Sequence, residues 1–162
     1  MLSFGRYPSQ VGVLGVLAGP AGLRRLGWQL AAGDTSTTPN GYVEQVLDQL
    51  AEYFAGQRQV FDVPLDLPRL EPATRAVLAA LQTVAYGSTV TYGELARRSG
   101  TGMPARAIGS IMGANPVPLV IPCHRVVSGN GLGGYSGGEP GQEIATKRWL
   151  LEHEDALPPT LL

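Results

Sequence analysis

The feature that most restricts the fold of this 162-residue chain is residues 116–122, an apolar stretch that contains three prolines. Proline fixes its own φ angle, lacks an amide hydrogen and drives the preceding residue towards an extended conformation, so this stretch cannot be helical. Its apolar side chains favour burial. We therefore expect an extended, inward-running segment that ends at Cys123 and holds the thiol in one position.

The first part of the chain predicts a small α/β unit. Residues 11–17 are apolar, residues 19–22 form a Gly-Pro-Ala-Gly turn signal, and residues 23–28 resume the apolar pattern, which indicates a β-hairpin. Apolar residues then recur at helical spacing over residues 43–54. Gly56 suits the end of that helix, because glycine readily adopts the left-handed conformation found there.

The start of this helix and the end of the unit also have sequence signals. Thr38 is a candidate N-cap and Pro39 suits the first helical position. A proline-containing connector over residues 61–72 follows the helix. We place the domain boundary within it, which predicts an N-terminal α/β domain over residues 1–68 and a second domain over residues 69–162.

The second domain is predicted to be mostly helical. Thr91 and Glu94 match a capping box, in which each side chain bonds the backbone amide of the other residue, and the helix they open should run to about Ser99. A Gly-Thr-Gly-Met turn at residues 100–103 leads to Pro104, which suits the start of another short helix. Two short helices joined by a glycine turn predict a helix-turn-helix, although many helical hairpins that do not bind DNA share the pattern.

Two further helices frame this pair. Residues 73–84 place their apolar side chains on one helical face, and residues 144–154 form a last helix. Glycine-rich loops are expected between the cysteine and the last helix, at residues 128–131 and 133–138.

Composition limits the kinds of site the chain can hold. One cysteine and two histidines exclude an intramolecular disulfide and leave too few ligands for structural zinc, so we expect no metal and no cofactor. The net charge is -1, yet residues 75–135 hold five arginines against one acidic residue, a local excess of positive charge of the kind that phosphate binding requires. No apolar run approaches the roughly 20 residues that span a bilayer, and no leader pattern opens the chain. We expect a cytoplasmic protein without membrane contact.

Cys123 is the candidate nucleophile. A lone cysteine is commonly a small buried apolar residue, but His124 and Arg125 follow directly, and a cation or a general base beside a thiol favours the reactive thiolate. Adjacent side chains on an extended segment point to opposite faces, so contact between His124 and the sulfur needs a turn or a bridging water. Glu154, beside His153, either orients an imidazole in a Cys-His-Glu relay or is a solvated acid at a helix end.

A family resemblance extends beyond these residues. Residues 115–127, with the sequence Asn-Pro-Val-Pro-Leu-Val-Ile-Pro-Cys-His-Arg-Val-Val, closely resemble the active-site signature of O6-alkylguanine-DNA alkyltransferases, also called methylated-DNA-protein-cysteine methyltransferases. The similarity continues through Thr91-Tyr92 and residues 106–109, 135–138 and 147–151. It covers essentially all of the second domain, whereas the N-terminal third is similar only in layout.

The resemblance implies both a fold and an activity. The fold is an α/β N-terminal domain (a small antiparallel sheet plus a helix, ribonuclease H-like) followed by a mostly α, helix-turn-helix (winged-helix-like) domain for DNA binding and catalysis. The activity is DNA repair by direct, irreversible transfer of an alkyl group, chiefly methyl, from O6-alkylguanine in DNA to the cysteine. O4-alkylthymine as a second substrate stays open. Each molecule would act once.

The resemblance also implies a role for each matching residue. Cys123 would accept the alkyl group, activated by His124 through a water, with Glu154 orienting His124 and Asn115 holding the turn before the active-site strand. Arg106 would enter the base stack in place of the extruded nucleotide. The remaining roles are contacts with the flipped nucleotide: Tyr92 at the phosphate and the guanine, Ser136 and the main chain of Cys123 and Val126 at the guanine, and Met112, Pro118 and Tyr135 as pocket lining.

The implied partner is double-stranded DNA that contains O6-alkylguanine, bound through the minor groove by a monomer with the damaged base flipped out. Small residues on the proposed recognition helix would allow close approach to a narrow groove. They would equally suit tight packing of that helix against the rest of the domain. The residues concerned are Ala105, Ala107, Gly109 and Ser110.

Two departures from the family pattern and three other functions stay open. Residues 139–146 look a few residues longer than in many relatives, which leaves the range of alkyl groups open, and the N-terminal zinc-binding cysteines of some members are absent. A non-catalytic, alkyltransferase-like lesion sensor would lack the acceptor cysteine, so Cys123 argues against it. A thiol hydrolase would need an oxyanion hole, and a helix-turn-helix regulator would be expected to form a symmetric dimer.

Overall fold

The computed structural model describes residues 1–33 and 40–157. The chain divides into two compact units, Met1–Arg69 and Leu70–Leu162, each with its own buried residues. Within the described ranges, no helix is long and apolar enough to cross a membrane.

Three antiparallel strands form the sheet of the first unit: β1 (Ser3–Ser9), β2 (Gly12–Gly19) and β3 (Gly22–Trp28), in the order β1-β2-β3. β2 and β3 are the predicted hairpin. Gly22 (φ +146°) lies so close to the connector that a Cβ would be 2.3 Å from the carbonyl oxygen of Pro64, which explains the glycine. β1 has no clear signal in the sequence, because a glycine, an arginine and a proline interrupt its apolar pattern.

Helix α1 (Gly41–Phe54) packs against this sheet through the apolar face that its spacing predicts. Asn40 is the N-cap, and its side chain accepts a hydrogen bond from a first-turn amide at 2.9 Å. Thr38 and Pro39, predicted to open this helix, lie outside the described residues. Gly56 adopts φ +77° just past the end, as predicted.

The described part of the second unit is mostly helical. Its elements are α2 (Pro72–Leu81), β4 (Val90–Thr91), α3 (Tyr92–Ser99), α4 (Ala105–Gly113), β5 (Val126–Val127) and α5 (Glu143–His153). The two short strands, β4 and β5, form a parallel pair. Helices α2, α3 and α4 pack against one another, and α5 packs against the turn that begins at the cysteine. The predicted fold class is therefore confirmed: a small antiparallel sheet with a helix, followed by a mostly helical unit.

Helices α3 and α4 form the predicted helix-turn-helix. The capping box is present, since Thr91 Oγ1 accepts from the Glu94 amide and Glu94 Oε1 accepts from the Thr91 amide, both at 3.1 Å. Gly100 ends α3 in the left-handed conformation (φ +67°). Pro104 is the N-cap of α4, one position before the first helical residue. The buried residues of α4 are Ile108, Ile111 and Met112.

Candidate active site

Residues 116–122 are buried or half-buried, as predicted, but they form a tight loop, so the expectation of an extended segment is wrong. The chain reverses at Leu119 (φ +75°), and the Ile121 amide donates to the carbonyl oxygen of Val117 at 2.9 Å. Proline restricts only itself and the residue before it, so Leu119, which precedes a valine, is free to turn. Leu119 is buried, and its packing maintains a conformation that is uncommon for leucine.

Asn115 holds both ends of this loop. Its side-chain oxygen accepts a hydrogen bond from the Val117 amide at 3.0 Å, and its side-chain nitrogen donates to the carbonyl oxygen of Ile121 at 2.8 Å. The loop is thereby closed two residues before Cys123. These hydrogen bonds restrain the backbone that leads to the cysteine.

Cys123 opens a single 3₁₀ turn, Cys123–Arg125, where the chain leaves the loop. Only 7% of the cysteine is exposed. Burial raises the pKa of its thiol to about 11, while Asn115 and the ammonium of Lys147 act in the opposite direction. The group is therefore a protonated thiol at neutral pH, and a base has to remove the proton when the sulfur reacts.

The residues that follow Cys123 meet Glu154, which is the C-cap of α5 and is fully buried, not a solvated helix-end acid. His124 Nε2 lies 2.7 Å from Glu154 Oε2. Arg125 donates from Nε to Glu154 Oε1 at 2.8 Å and from Nη2 to Oε2 at 3.1 Å, and from Nη1 to the carbonyl oxygen of Val84 at 2.7 Å. Both carboxylate oxygens are therefore bonded.

The charge states in this cluster follow from burial and from these pairs. Burial lowers the pKa of His124, with Glu154 acting in the opposite direction and Arg125 in the same one. Burial alone would raise the pKa of Glu154, but His124 and Arg125 lower it well below its usual range. At neutral pH the site thus holds a neutral imidazole beside an ionised carboxylate.

This arrangement decides which nitrogen of His124 carries the proton. Glu154 can only accept a hydrogen bond when ionised, so the neutral imidazole donates from Nε2 and has its lone pair on Nδ1. Nδ1 is buried and has no hydrogen-bond partner among the residues that the structure describes. It is therefore available to accept a proton.

Lys147, on α5, is completely buried. Its ammonium donates to the carbonyl oxygens of Val126 and Gly134, the latter at 2.8 Å, and so joins β5 to the glycine-rich loop. Burial lowers the pKa of Lys147 to about 8, with Cys123 acting in the opposite direction. Lys147 thus places a positive charge near the thiol.

A cavity of about 290 Å³ opens beside Cys123. Burial raises the pKa of both Tyr92 and Tyr135, so these phenols are protonated and able to donate. Tyr92 already donates to the carbonyl oxygen of Gly134 at 3.4 Å. The cavity therefore combines a nucleophile, aromatic surface and polar groups, which suits a flat polar ligand. Among the described residues, Tyr92, Gly109, Met112, Cys123, Gly134, Tyr135 and Ser136 line it.

The structure brings most of the predicted site residues together. Pro118 and Val126 are exceptions, because they are not among the residues that line the cavity: Pro118 is half-buried in the Asn115 loop and Val126 is fully buried in β5. Arg106 is exposed near the start of α4. His153 stacks on Trp149 (ring centroids 4.8 Å apart), and it is His124 that Glu154 bonds.

Sequence reasoning missed two charged residues of the site. Arg125 was considered only as a cation near the thiol, yet its guanidinium is bound to Glu154. Lys147 was not predicted to act at the site at all. A lysine in a helix that also carries other charged residues looks solvated, and its carbonyl partners leave no pattern in the sequence.

The small residues of α4 lie largely on an open surface. Ala105, Gly109 and Ser110 are exposed and Ala107 is half-buried. A Cβ added to Gly109 would meet no atom within 4 Å. Packing against other described residues therefore does not require this glycine.

Two family models match the chain. The one described as the 6-O-methylguanine DNA methyltransferase ribonuclease-like domain matches residues 2–67, and the one described as the DNA binding domain of the same proteins matches residues 72–156. The chain belongs to the 6-O-methylguanine DNA methyltransferase family.

Relatives of this family are similar over most of the chain. A methylated-DNA–protein-cysteine methyltransferase of Mycobacterium tuberculosis is 42% identical over 139 residues, which are 85% of this chain and 81% of the relative. A DNA base-flipping protein of Thermus thermophilus is 37% identical over 153 residues, 93% of this chain and 98% of the relative. The crystal structure of Mycobacterium tuberculosis OGT in complex with DNA is similar with a TM-score of 0.82 and 37% identity, covering 98% of this chain and 96% of that one.

In the described ranges, no group of three or more histidine, cysteine, aspartate or glutamate side chains is placed to hold a metal ion.

Proposed function

We propose that this chain repairs DNA by irreversible transfer of an alkyl group, chiefly methyl, from the O6 atom of guanine to Cys123 Sγ. The observation that carries the proposal is a buried thiol on the wall of a cavity, next to a neutral histidine whose Nδ1 is free and whose Nε2 is bonded to a buried carboxylate. Family membership and the likeness to a DNA-bound structure supply the substrate class.

The transfer step follows from the charge states. The thiol proton passes through a bridging water to His124 Nδ1, and Glu154 stabilises the imidazolium that forms. As the bond between Cys123 Sγ and the alkyl carbon forms, the bond between that carbon and O6 breaks, and its electron pair stays on the guanine. The base takes up the proton that left the thiol, returned from the imidazolium by way of water, and goes back into the duplex as ordinary guanine. With no second cysteine to attack the thioether, each molecule reacts once.

Other residues would recognise the flipped base. Tyr92 and Ser136 would contact the guanine, and Met112 and Tyr135 would form the apolar walls, since all four line the cavity. Pro118 and the main chain of Val126, which do not line the cavity, would contact the base from beside these four residues. Asn115 would keep the acceptor in register by closing the loop before it.

The DNA would lie against α4. Arg106 is exposed there and would fill the gap left by the extruded nucleotide, while Tyr92 would crowd the phosphate of that nucleotide. The exposed small residues of α4 support approach to the minor groove, where longer side chains would obstruct. We also propose domains 1–68 and 69–162, a monomeric state, and action in the cytoplasm.

The test is chemical. Incubation with duplex DNA that contains one O6-methylguanine should add the mass of one methyl group to the Cys123 peptide and should stop at one equivalent. Cys123→Ala should bind the same DNA and leave the lesion unchanged.

Each alternative function predicts a different result. A lesion sensor would bind the DNA without transfer of the methyl group. A thiol hydrolase would turn over ester substrates in the absence of DNA. A helix-turn-helix regulator would bind DNA with and without the lesion equally. An unmodified Cys123 peptide after incubation with an excess of lesion DNA under reducing conditions would refute the proposal.

A further inference from the structure

Arg125 is a buried cation that the transfer step above does not use. Its guanidinium bonds both oxygens of Glu154 and the carbonyl oxygen of Val84. We propose that Arg125 is a positioning residue: it fixes the Glu154 carboxylate and cancels its charge, so that His124 stays neutral with Nδ1 open to the thiol proton. This inference rests on the proposed role of His124 as the base.

The geometry shows why the carboxylate cannot move. Two parallel N–H groups of Arg125 meet the two oxygens of Glu154 at 2.8 and 3.1 Å, a forked pairing that also fixes the plane of the carboxylate. The third bond, to Val84 at 2.7 Å, anchors the guanidinium to the chain just after α2. The guanidinium carbon of Arg125, Cζ, also lies 5.8 Å from the ring centroid of Tyr86. Glu154 Oε2 is thereby held within 2.7 Å of His124 Nε2.

The charges show why the pairing matters for His124. A buried carboxylate without a partner would favour the imidazolium form of a histidine that touches it. That form carries a proton on both nitrogens, so Nδ1 could no longer accept one. With Arg125 in place, the carboxylate and the guanidinium compensate each other, and the imidazole can remain neutral.

The other charged or titratable groups that face this cluster do not replace Arg125. Lys147 also opposes protonation of His124, and its ammonium donates to two carbonyl oxygens. Burial, with Glu154 acting in the same direction, raises the pKa of both Tyr86 and Tyr135, so each is a neutral phenol, and Asp155 adds to the effect on Tyr86. Cys123 is protonated. Removal of Arg125 would therefore take away the guanidinium that bonds both Glu154 oxygens, and the charge of Glu154 would act more strongly on His124.

The protonation state of His124 can be measured directly because the chain has only two histidines. In protein labelled with ¹⁵N-histidine, a His153→Gln variant assigns the two sets of signals. The wild-type protein should show a neutral His124 at pH 7 with the proton on Nε2. Arg125→Gln should show a His124 that is mostly protonated at both nitrogens at pH 7 and becomes neutral only at higher pH, so its pKa should rise by about one unit or more relative to the wild type.

A double variant separates charge from packing. In Arg125→Gln with Glu154→Gln, the amide oxygen at position 154 can still accept from Nε2, but no uncompensated carboxylate remains. His124 should be neutral again. Arg125→Lys, which keeps the charge but loses the fork, should lie between the wild type and Arg125→Gln.

Transfer rates supply the second readout. Arg125→Gln should transfer the methyl group at least about tenfold more slowly at pH 7, because general-base catalysis commonly contributes a hundredfold or more, and should recover as the pH rises. The double variant should regain part of the rate at pH 7. Arg69→Gln, which removes an exposed arginine outside the group of arginines at residues 75–135, should match the wild type.

The outcomes are distinct. A folded Arg125→Gln with a neutral His124 and an unchanged pH profile would overturn the proposal. If Arg125→Gln does not fold, the double variant supplies the test. A protonated His124 in the double variant at pH 7 would overturn the proposal. If the wild-type protein transfers no methyl group, the proposed function fails, while the ¹⁵N signals still report whether Arg125 keeps His124 neutral.

Discussion

At the scale of single residues, the site keeps both reacting groups uncharged until they are used. The thiol of Cys123 has a pKa raised to about 11, and burial keeps His124 neutral. A base therefore has to take the thiol proton for the sulfur to react, and any change that misplaces either group should slow the transfer. Most of this positioning is done by hydrogen bonds to the backbone and by one buried carboxylate.

Asn115→Asp tests the loop before the acceptor. Aspartate can still accept from the Val117 amide but cannot donate to the Ile121 carbonyl, which would lose its partner and face a negative charge. We expect a loss of about 1–3 kcal/mol in the free energy of unfolding, measured with urea, together with slower methyl transfer. Asn130→Asp is the control, since Asn130 is exposed and its side chain only accepts, from Ser128 Oγ. Equal stability of the two variants would contradict the role of Asn115.

Arg106→Ala tests the base-stack role. Because extrusion of a base from a duplex costs a few kcal/mol, we expect repair of O6-methylguanine in duplex DNA to slow by on the order of tenfold or more. The reaction with free O6-methylguanine should be unaffected, since Arg106 is exposed and does not line the cavity. Rate measurements on both substrates decide, and an equal loss on both would rule the role out.

At the scale of elements, α4 presents an open and nearly smooth surface. Gly109 lines the cavity, yet no protein atom occupies the space where its side chain would be. A glycine inside a helix costs about 0.5–1 kcal/mol relative to alanine. The chain therefore keeps a residue that weakens the helix, and the structure of the free protein alone gives no packing reason for it.

Gly109→Ala should consequently separate stability from binding. We expect a free energy of unfolding that is unchanged or up to about 1 kcal/mol higher, and weaker binding to duplex DNA. Gly41→Ala is the matched control: Gly41 also lies in a helix with no atom within 4 Å of an added Cβ, but in the first unit. Thermal unfolding and a DNA titration check both variants. Unchanged DNA affinity in Gly109→Ala would contradict the proposal that α4 approaches the minor groove closely.

The elements also show which parts of the fold a sequence can predict. The capping box at Thr91 and the stop at Gly56 were predictable, because each depends on residues within one turn of the helix. The loop over residues 116–122 was predicted to be buried and not helical, both correctly, but its reversal at Leu119 was not. A left-handed leucine is maintained by surrounding residues, and local sequence carries no signal for it.

At the scale of the whole molecule, the pairings of the site join distant parts of the second unit. Arg125 meets Glu154 twenty-nine residues later and Val84 forty-one residues earlier. Family resemblance could assign a role to Glu154, but which cation neutralises it depends on how α2, α5 and the 3₁₀ turn come together. Lys147 was missed for the same reason, since its partners are backbone carbonyls brought close only by folding.

The same cluster should make stability depend on acid. The pKa of Glu154 is lowered to about 2 in the folded chain from a usual value of 4.5. The ionised Glu154 therefore contributes about 3 kcal/mol to the free energy of unfolding. This contribution is fully present above about pH 4.5 and is lost as the pH falls towards 2. His124 adds to this trend. Because its pKa is lower in the folded chain than in the unfolded chain, the unfolded chain binds a proton first as the pH falls, and this favours unfolding.

Glu154→Gln should thus be less stable than the wild type at pH 7, and the gap should narrow as the pH falls from 5 to 2. Urea unfolding at several pH values measures it. Glu152→Gln, an exposed acid on the same helix, should leave the pH dependence unchanged. A gap that stays constant over this range would show that Glu154 is not ionised in the folded protein.

Burial of the Cys123 thiol also protects a protein that can react only once. With a pKa of about 11, on the order of one molecule in ten thousand carries a thiolate at pH 7. Small electrophiles in solution react with thiolates, so they would find Cys123 nearly inert. Each molecule therefore keeps its reactive thiol until it binds a damaged base. The binding of that base in the correct position, and not collision with a small electrophile, determines when the thiol reacts.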